Sequence, residues 1–265
     1  DTSIKRVTFS LQGNAPFETE NISKKILLKL KSRKKIKSVS AGNLENIEKE
    51  YSYTISFNEN KTIAYIVSEP IPMPQYTSDM NITVESGIKS IFGGTSSSKK
   101  TDSVVVPGIS DYVNIKRISH SLVKNDEQNY DQIIFIETKG QVSAEELEKN
   151  ISVYELPADR PKEQGYREIK NYSWNDPAYV TELVLSQSKK IDIKMIPTPE
   201  KNSSVNSFKI KATPQKYVYI KIAGNIDFYG GYKWNDVYEK IVQIRAYPKE
   251  LGILSEGTIL SLSGS

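Results

Sequence analysis

Tyr217 to Gly264 reads YVYIKIAGNIDFYGGYKWNDVYEKIVQIRAYPKELGILSEGTILSLSG. Val218, Ile220 and Ile222 alternate with Tyr219 and Lys221, the period-two pattern of a strand with one buried face. A Gly224-Asn225 break and a Gly230-Gly231 turn follow, and Tyr238 to Ala246 forms a second β-rich run closed by Pro248. The pattern predicts a hairpin followed by an exit linker. Asn81 to Tyr112, NITVESGIKSIFGGTSSSKKTDSVVVPGISDY, carries it in rougher form: Gly93-Gly94, then Ser103 to Val106, then Pro107-Gly108. A hairpin-and-exit unit written twice points to two β-domains.

The rest of the chain fits that division. Ile4 to Leu11 and Ile26 to Leu30 read as strands. Tyr51 to Phe57, YSYTISF, alternates cleanly, and Asn58 to Lys61 is a loop leading to a return strand, Thr62 to Val67. Pro70, Pro72 and Pro74 forbid regular pairing and mark a crossover. Ile115 to Leu122, IKRISHSL, matches IKRVTFSL at Ile4 to Leu11 in five of eight positions, an offset of 111 (4 to 115). The Gly-Gly pairs lie 137 apart (93 to 230), so the second copy is longer by 26 residues. The extra length is expected within Leu156 to Tyr179, a Pro-rich stretch without periodicity. Tandem sandwiches with a loop insertion in one copy follow from this repeat. The expected fold class is therefore all-β: tandem immunoglobulin-like β-sandwiches. Residues 1–110 form the first, 111–247 the second with the insertion, and 248–265 a linker or strand leading to a further domain. One short helix is predicted at Ser143-Ala-Glu-Glu146, a capping box flanked by Val142 and Leu147 as a hydrophobic staple. It falls between strands at Gln132 to Glu137 and Ile151 to Tyr154.

Composition excludes several classes. A charged fraction of 26% and a hydrophobic fraction of 37% over 265 residues fit a folded soluble chain. A net charge of +4 from 36 basic and 32 acidic residues gives no support to nucleic-acid binding. The densest basic run, Lys29 to Lys37, reads as a strand edge guarded by lysines. Absence of cysteine removes disulfides, thiolate zinc sites and a cysteine nucleophile. No apolar run reaches the roughly 18 residues needed to span a bilayer, so no membrane insertion is expected. The chain starts at Asp1 without an initiator Met or signal peptide, and is expected to be a fragment of a longer precursor.

Residues with chemistry are few. His120 is the single histidine and sits in a strand pattern with no nucleophile motif beside it. Asn125, Asp126, Glu127 and Asp131 offer oxygens but lack the spacing and central Gly of a calcium loop, and read as a hairpin turn. Glu145, Glu146 and Glu148 are explained by helix capping and the dipole. Gly93-Gly94 and Gly230-Gly231 do not open helices and supply no phosphate cradle. No catalytic, cofactor-binding or metal residue is expected, and the chain is read as not an enzyme. Tyr166, Tyr172, Trp174 and Tyr179 cluster in the insertion. They form a possible partner interface, or else pin the loop to its own sandwich.

Ala246 to Gly264, AYPKELGILSEGTILSLSG, resembles the segment of bacterial α2-macroglobulins that follows their N-terminal domains. There an aromatic-Pro-basic-Glu start leads into a Leu-Ser-Gly ending. Gly230-Gly231-Tyr232 is similar to the family's Gly-Gly-Tyr turn, and Ile133 to Pro157, containing VSAEELEKNISVYELP, to its strand–helix–strand pattern. The likeness is strongest over Asp111 to Ser265 and slighter over Asp1 to Gly108. The resemblance implies a large envelope protein of Gram-negative bacteria, facing the periplasm or cell surface and lipid-anchored through the missing N-terminus. It also implies a bait region that invading proteases cut before being trapped, and in many members a Cys-Leu-Glu-Gln thioester. With no Cys, this chain carries no thioester. It is expected to be a non-catalytic N-terminal scaffold whose partners are further macroglobulin domains of the same chain and, through the intact parent, target proteases. The alternative is a tandem immunoglobulin-like module for surface adhesion or carbohydrate binding.

Overall fold

The computed structural model describes residues 4–37, 44–94 and 98–248. The first unit contains β1 (Ile4–Lys5), β2 (Thr8–Gln12), α1 (Thr19–Ser23), β3 (Ile26–Lys37), β4 (Leu44–Tyr51), β5 (Tyr53–Phe57), β6 (Ile63–Ser68), β7 (Ile71–Pro72), β8 (Ser78–Val84) and β9 (Lys100–Val106). Two antiparallel sheets, ordered β2-β6-β5 and β4-β3-β8-β9, face each other, with β1-β7 as a side pair. Period-two alternation decides which faces meet. Met80, Ile82 and Val84 of β8 and Ala64 and Ile66 of β6 turn inward, packing with Ile22 and Leu28. Burying each of the larger of these side chains, from Val to Met, contributes about 1.5–3 kcal/mol.

A 3₁₀ turn at Ile109–Asp111 leads into the second unit. It contains β10 (Asn114–Lys124), β11 (Tyr130–Ser143), α2 (Ala144–Asn150), β12 (Ile151–Glu155), α3 (Glu182–Ser186), β13 (Lys189–Ile191), β14 (Lys194–Ile196), β15 (Asn202–Ile210), β16 (Tyr217–Ile222), β17 (Ile226–Phe228), β18 (Tyr232–Trp234) and β19 (Tyr238–Gln243). Its sheets run β10-β11-β15-β14 and β13-β12-β16-β19, with β17-β18 as a small hairpin between β16 and β19. A separate core holds Ile118, Ile136, Leu147, Val153, Phe208 and Ile220. The all-β sandwich class expected from periodicity is the observed one.

The internal repeat is present in a different register. The sheet β4-β3-β8-β9 has the order and connections of β13-β12-β16-β19, and β2-β6-β5 those of β11-β15-β14. A short helix precedes the central strand in both: α1 before β3 and α2 before β12. Both helix starts and both strand starts lie 125 residues apart (19 to 144, 26 to 151). The counterpart of β2 is therefore β11, and Ile115 to Leu122 lies in β10, a strand that the first unit's sheets do not contain. The IKR match does not join equivalent strands. Two amphipathic strands drawn from Ile, Ser, Lys and Arg share residues by composition. Late in the units the offset reaches 138, since Val84 opposes Ile26 as Ile222 opposes Ile151. The net extra length is thus 13 residues rather than 26.

Four local expectations change. Ile4 to Leu11 is broken at Arg6-Val7, and its two parts join different sheets. Tyr51 to Phe57 is also two strands, since the chain crosses from one sheet to the other at Ser52. The basic run lies on β3, an interior strand rather than an edge. Its outward lysines face acids on β4: Lys29 is opposite Glu50, and Lys31 pairs with Glu48 at 3.0 Å. Two short helices, α1 and α3, accompany the single predicted one. The expected linker at 248–265 lies outside the described residues, apart from Pro248.

The predicted helix starts where its cap places it. The Ser143 hydroxyl accepts from the Glu146 amide at 3.2 Å, and Val142 and Leu147 are fully buried. The Glu146 carboxylate does not complete the box but accepts from the Asp227 amide at 3.3 Å, tying α2 to the β17 hairpin. Ser143→Ala should lower stability by about 0.5–2 kcal/mol in chemical denaturation. An unchanged midpoint would mean the cap contributes nothing.

Candidate functional site

The insertion of the second unit runs from Leu156 to Ser188, between the neighbouring strands β12 and β13, and folds over the outer face of their sheet. This explains a departure on β16. Alternation predicts one buried face, yet Tyr219, on the outer side, is 2% exposed because Leu156, Trp174 and Val184 cover it. Burial, then its 2.7 Å bond to the Glu239 carboxylate, keeps the Tyr219 hydroxyl protonated well above the usual phenol range. The path of the insertion is fixed by local chemistry. Tyr172 N donates to Ala158 O at 2.8 Å, and Arg160 and Ile169 exchange backbone bonds at 2.7 and 3.0 Å. Gly165 supplies the positive φ of the tip turn. Asp176 and Thr181 cap the following 3₁₀ turn and α3 through Ala178 N and Val184 N.

The four aromatic residues singled out in the sequence are brought together, with unequal surface. Trp174 is 1% exposed; its indole N–H donates to Pro157 O at 2.8 Å, and Tyr172 meets it edge-on at 4.8 Å. Tyr166 and Tyr179 make a second edge-on pair at 6.1 Å, and Tyr166 keeps 47% of its surface exposed. Between the pairs lies Arg160, which sequence reasoning missed. It is 5% exposed, with its guanidinium carbon 3.9 Å from the Tyr166 ring centre, 4.5 Å from Tyr179 and 5.4 Å from Tyr172. Its Nε and Nη2 have no hydrogen-bond partner among the described residues, so the ring faces supply its stabilisation. The sequence held one clue, an Arg within a Tyr-rich segment. The cluster is a platform clamped to the sandwich. Trp174 anchors it internally, and Tyr166 is the aromatic ring it presents outward.

A second set of contacts joins the two units. Asp236, after β18, pairs with Lys34 at 2.9 Å and hydrogen-bonds the Tyr76 hydroxyl, while Lys34 lies 4.1 Å from the Tyr76 ring centre. Burial lowers the Lys34 pKa, but its bonds to Asp236 and Tyr76 outweigh this and leave it raised. Asn235 donates to Gln75 at 3.3 Å. Asp111 accepts from the Thr77 hydroxyl and the Gly108 amide, each at 2.7 Å. Tyr112 and Tyr232 stack at 5.7 Å with planes 5° apart.

His120 and the polar residues of the β10–β11 turn, the other candidates for chemistry, lie as follows. His120, opposite Ile134, has both ring nitrogens buried and unpartnered among the described residues. Burial, and then Arg245, lower its pKa, which favours the neutral ring. Asn125 accepts from the amides of Glu127 and Asn129 and closes the β10–β11 turn, and Asp131 pairs with Lys209 at 2.7 Å.

Fold and site define the class: an all-β protein of two linked sandwiches, one carrying a folded aromatic platform. No family model and no solved structure matches the chain. Curated bacterial proteins do. An α2-macroglobulin of Rickettsia conorii is 26% identical over 282 residues, covering 100% of this chain and 14% of the relative. An α2-macroglobulin homolog of Yersinia pestis is 25% identical over 264 residues, and an α2-macroglobulin of Pasteurella multocida 20% over 263; each match covers 98% of this chain and 13% of the relative. Along its whole length the chain is thus similar to bacterial α2-macroglobulins, and it spans about one-seventh of the length of the relatives it matches.

Proposed function

We propose that this chain is a non-catalytic scaffold segment of a bacterial α2-macroglobulin-like endopeptidase inhibitor. Residues 1–110 and 111–247 serve as two macroglobulin-type domains, and 248–265 lead to the next. The observation that carries this reading is similarity over 98–100% of the chain to relatives named α2-macroglobulin. Trapping requires a cleavable bait and energy stored in contacts between domains, released as a change of state. The work assigned to this segment is to hold two sandwiches in one geometry and to position the domains that follow. Its partners are those domains and, through the intact parent, target proteases. The parent acts in the cell envelope, in the periplasm or at the cell surface, held by a lipid anchor. Among the described residues no helix is long and apolar enough to cross a membrane.

The test is a protection assay. Several endopeptidases are incubated with the chain or with the intact parent, and cleavage of a large protein substrate is followed. The parent should protect the substrate and the chain alone should not. Stoichiometric inhibition by the chain alone would place the inhibitory element here, against the proposal.

A further inference from the structure

The two units differ at one place in a way that defines a binding surface. In the second unit β11 carries β10 along its outer edge, paired from Asn114 opposite Lys139 to Lys124 opposite Tyr130. β10 buries Ile115 and Ile118 in the core and reaches across to contact β19, closing that side of the sandwich. In the first unit the counterparts are β2 and β9. Both are free sheet edges among the described residues, and no strand lies between them. A cleft of about 620 Å³ opens there, with Leu11, Phe17, Val84 and Ile88 on its walls. A second hollow of about 250 Å³ shares Leu11, Val84 and Lys100 with it and continues to Phe9 and Ile82. The groove thus runs alongside β2 in the position that β10 fills in the second unit.

The edge is ready to pair. Gly13 N donates to Thr62 O at 2.8 Å, and Val7 O accepts from Ser68 N at 2.9 Å. Antiparallel alternation therefore turns the backbone groups of Phe9 and Leu11 toward β6 and those of Thr8, Ser10 and Gln12 toward the groove. The side chains of Thr8, Ser10 and Gln12 are exposed, and those of Phe9 and Leu11 line the groove. Among the described residues its charge is one-sided: Lys89 and Lys100 line the larger cleft with no carboxylate, and Asp102 enters only in the smaller hollow.

We propose that this groove takes up an extended segment of a partner polypeptide, alternating apolar with acidic residues, as an added antiparallel strand on β2. Backbone bonds to Thr8, Ser10 and Gln12 supply the pairing. Apolar side chains fill the floor over Leu11 and Val84, and acids reach Lys89 and Lys100.

The probe is a capped ten-residue peptide alternating valine with glutamate, added to the 265-residue chain. Binding is read by fluorescence anisotropy and by amide hydrogen exchange. The peptide should bind and slow exchange at Thr8, Ser10 and Gln12, and a valine–lysine peptide should bind at least about tenfold more weakly. Ser10→Pro removes an amide that faces away from β6, so it should abolish binding with little change in the unfolding midpoint. Lys100→Glu, at an exposed position, should weaken the glutamate peptide and favour the lysine one. Absence of binding, binding without protection of those three amides, or equal affinity for the two peptides would overturn the proposal. So would concentration-dependent dimerisation that protects the same amides without peptide, which would assign the edge to a second copy.

Discussion

A Trp174→Ala protein is expected to lose about 3–5 kcal/mol of stability, the range for truncating a fully buried aromatic. Three losses combine at this position. The indole is 1% exposed and sits against Leu156, Val184 and Tyr219, so its removal leaves a cavity under the insertion. The Pro157 carbonyl loses its 2.8 Å donor, and Tyr172 loses the ring it meets edge-on. Unfolding should begin in the insertion and expose Tyr219. Hydrogen exchange should therefore speed up across Leu156 to Ser188 more than in the first unit, whose core is separate. Trp174→Phe retains part of the volume without the N–H and should fall between the two. A Trp174→Ala protein within 1 kcal/mol of the unsubstituted chain would mean that the platform rests on the sandwich without being anchored to it.

Gly108→Ala is expected to act on the joint between the units. A Cβ at this residue would stand 2.3 Å from the Tyr76 carbonyl carbon and 2.7 Å from Thr77 N. Both are backbone atoms, so no side-chain rotation relieves the clash. Overpacking of this kind costs about 1–3 kcal/mol, occasionally more, and the upper end applies where main chain must move. The displaced segment carries Tyr76 and Thr77, which hold Asp236 and Asp111. The substitution should therefore loosen the junction while leaving both cores folded. A lower first transition in calorimetry, with far-ultraviolet circular dichroism unchanged at 25 °C, would report it. Unaltered thermal behaviour would show that the close approach of Gly108 to Tyr76 is not needed.

What could be read from the sequence was local. The Ser143 cap, its Val142–Leu147 staple and the Asn58 to Lys61 loop depend on residues a few positions apart, and each lies where it was predicted. The all-β class followed from alternation on strands such as β5. What failed was non-local. Whether Lys29 to Lys37 lies on an edge or inside a sheet depends on β4 and β8 arriving on either side, and nothing within the run records that. The IKR match misled because strand identity is set by pairing partners, and β10 and β2 have different ones. The site divides in the same way. The clustering of Tyr166, Tyr172, Trp174 and Tyr179 was visible in the sequence, but the burial of Trp174 and the enclosure of Arg160 arise only when the insertion folds over β16.

The central claim is that this segment works by holding two sandwiches in one geometry. Because the chain contains no cysteine, spin labels can be placed at Glu59→Cys and Asp126→Cys, exposed turn positions in the first and second units. The distance between them can then be measured by pulsed electron–electron double resonance, in the chain and in the intact parent. The account predicts a single narrow distribution, the same in both, that broadens in Gly108→Ala. A broad or multimodal distribution in the unsubstituted chain would contradict it, since two freely moving sandwiches cannot position the domains that follow.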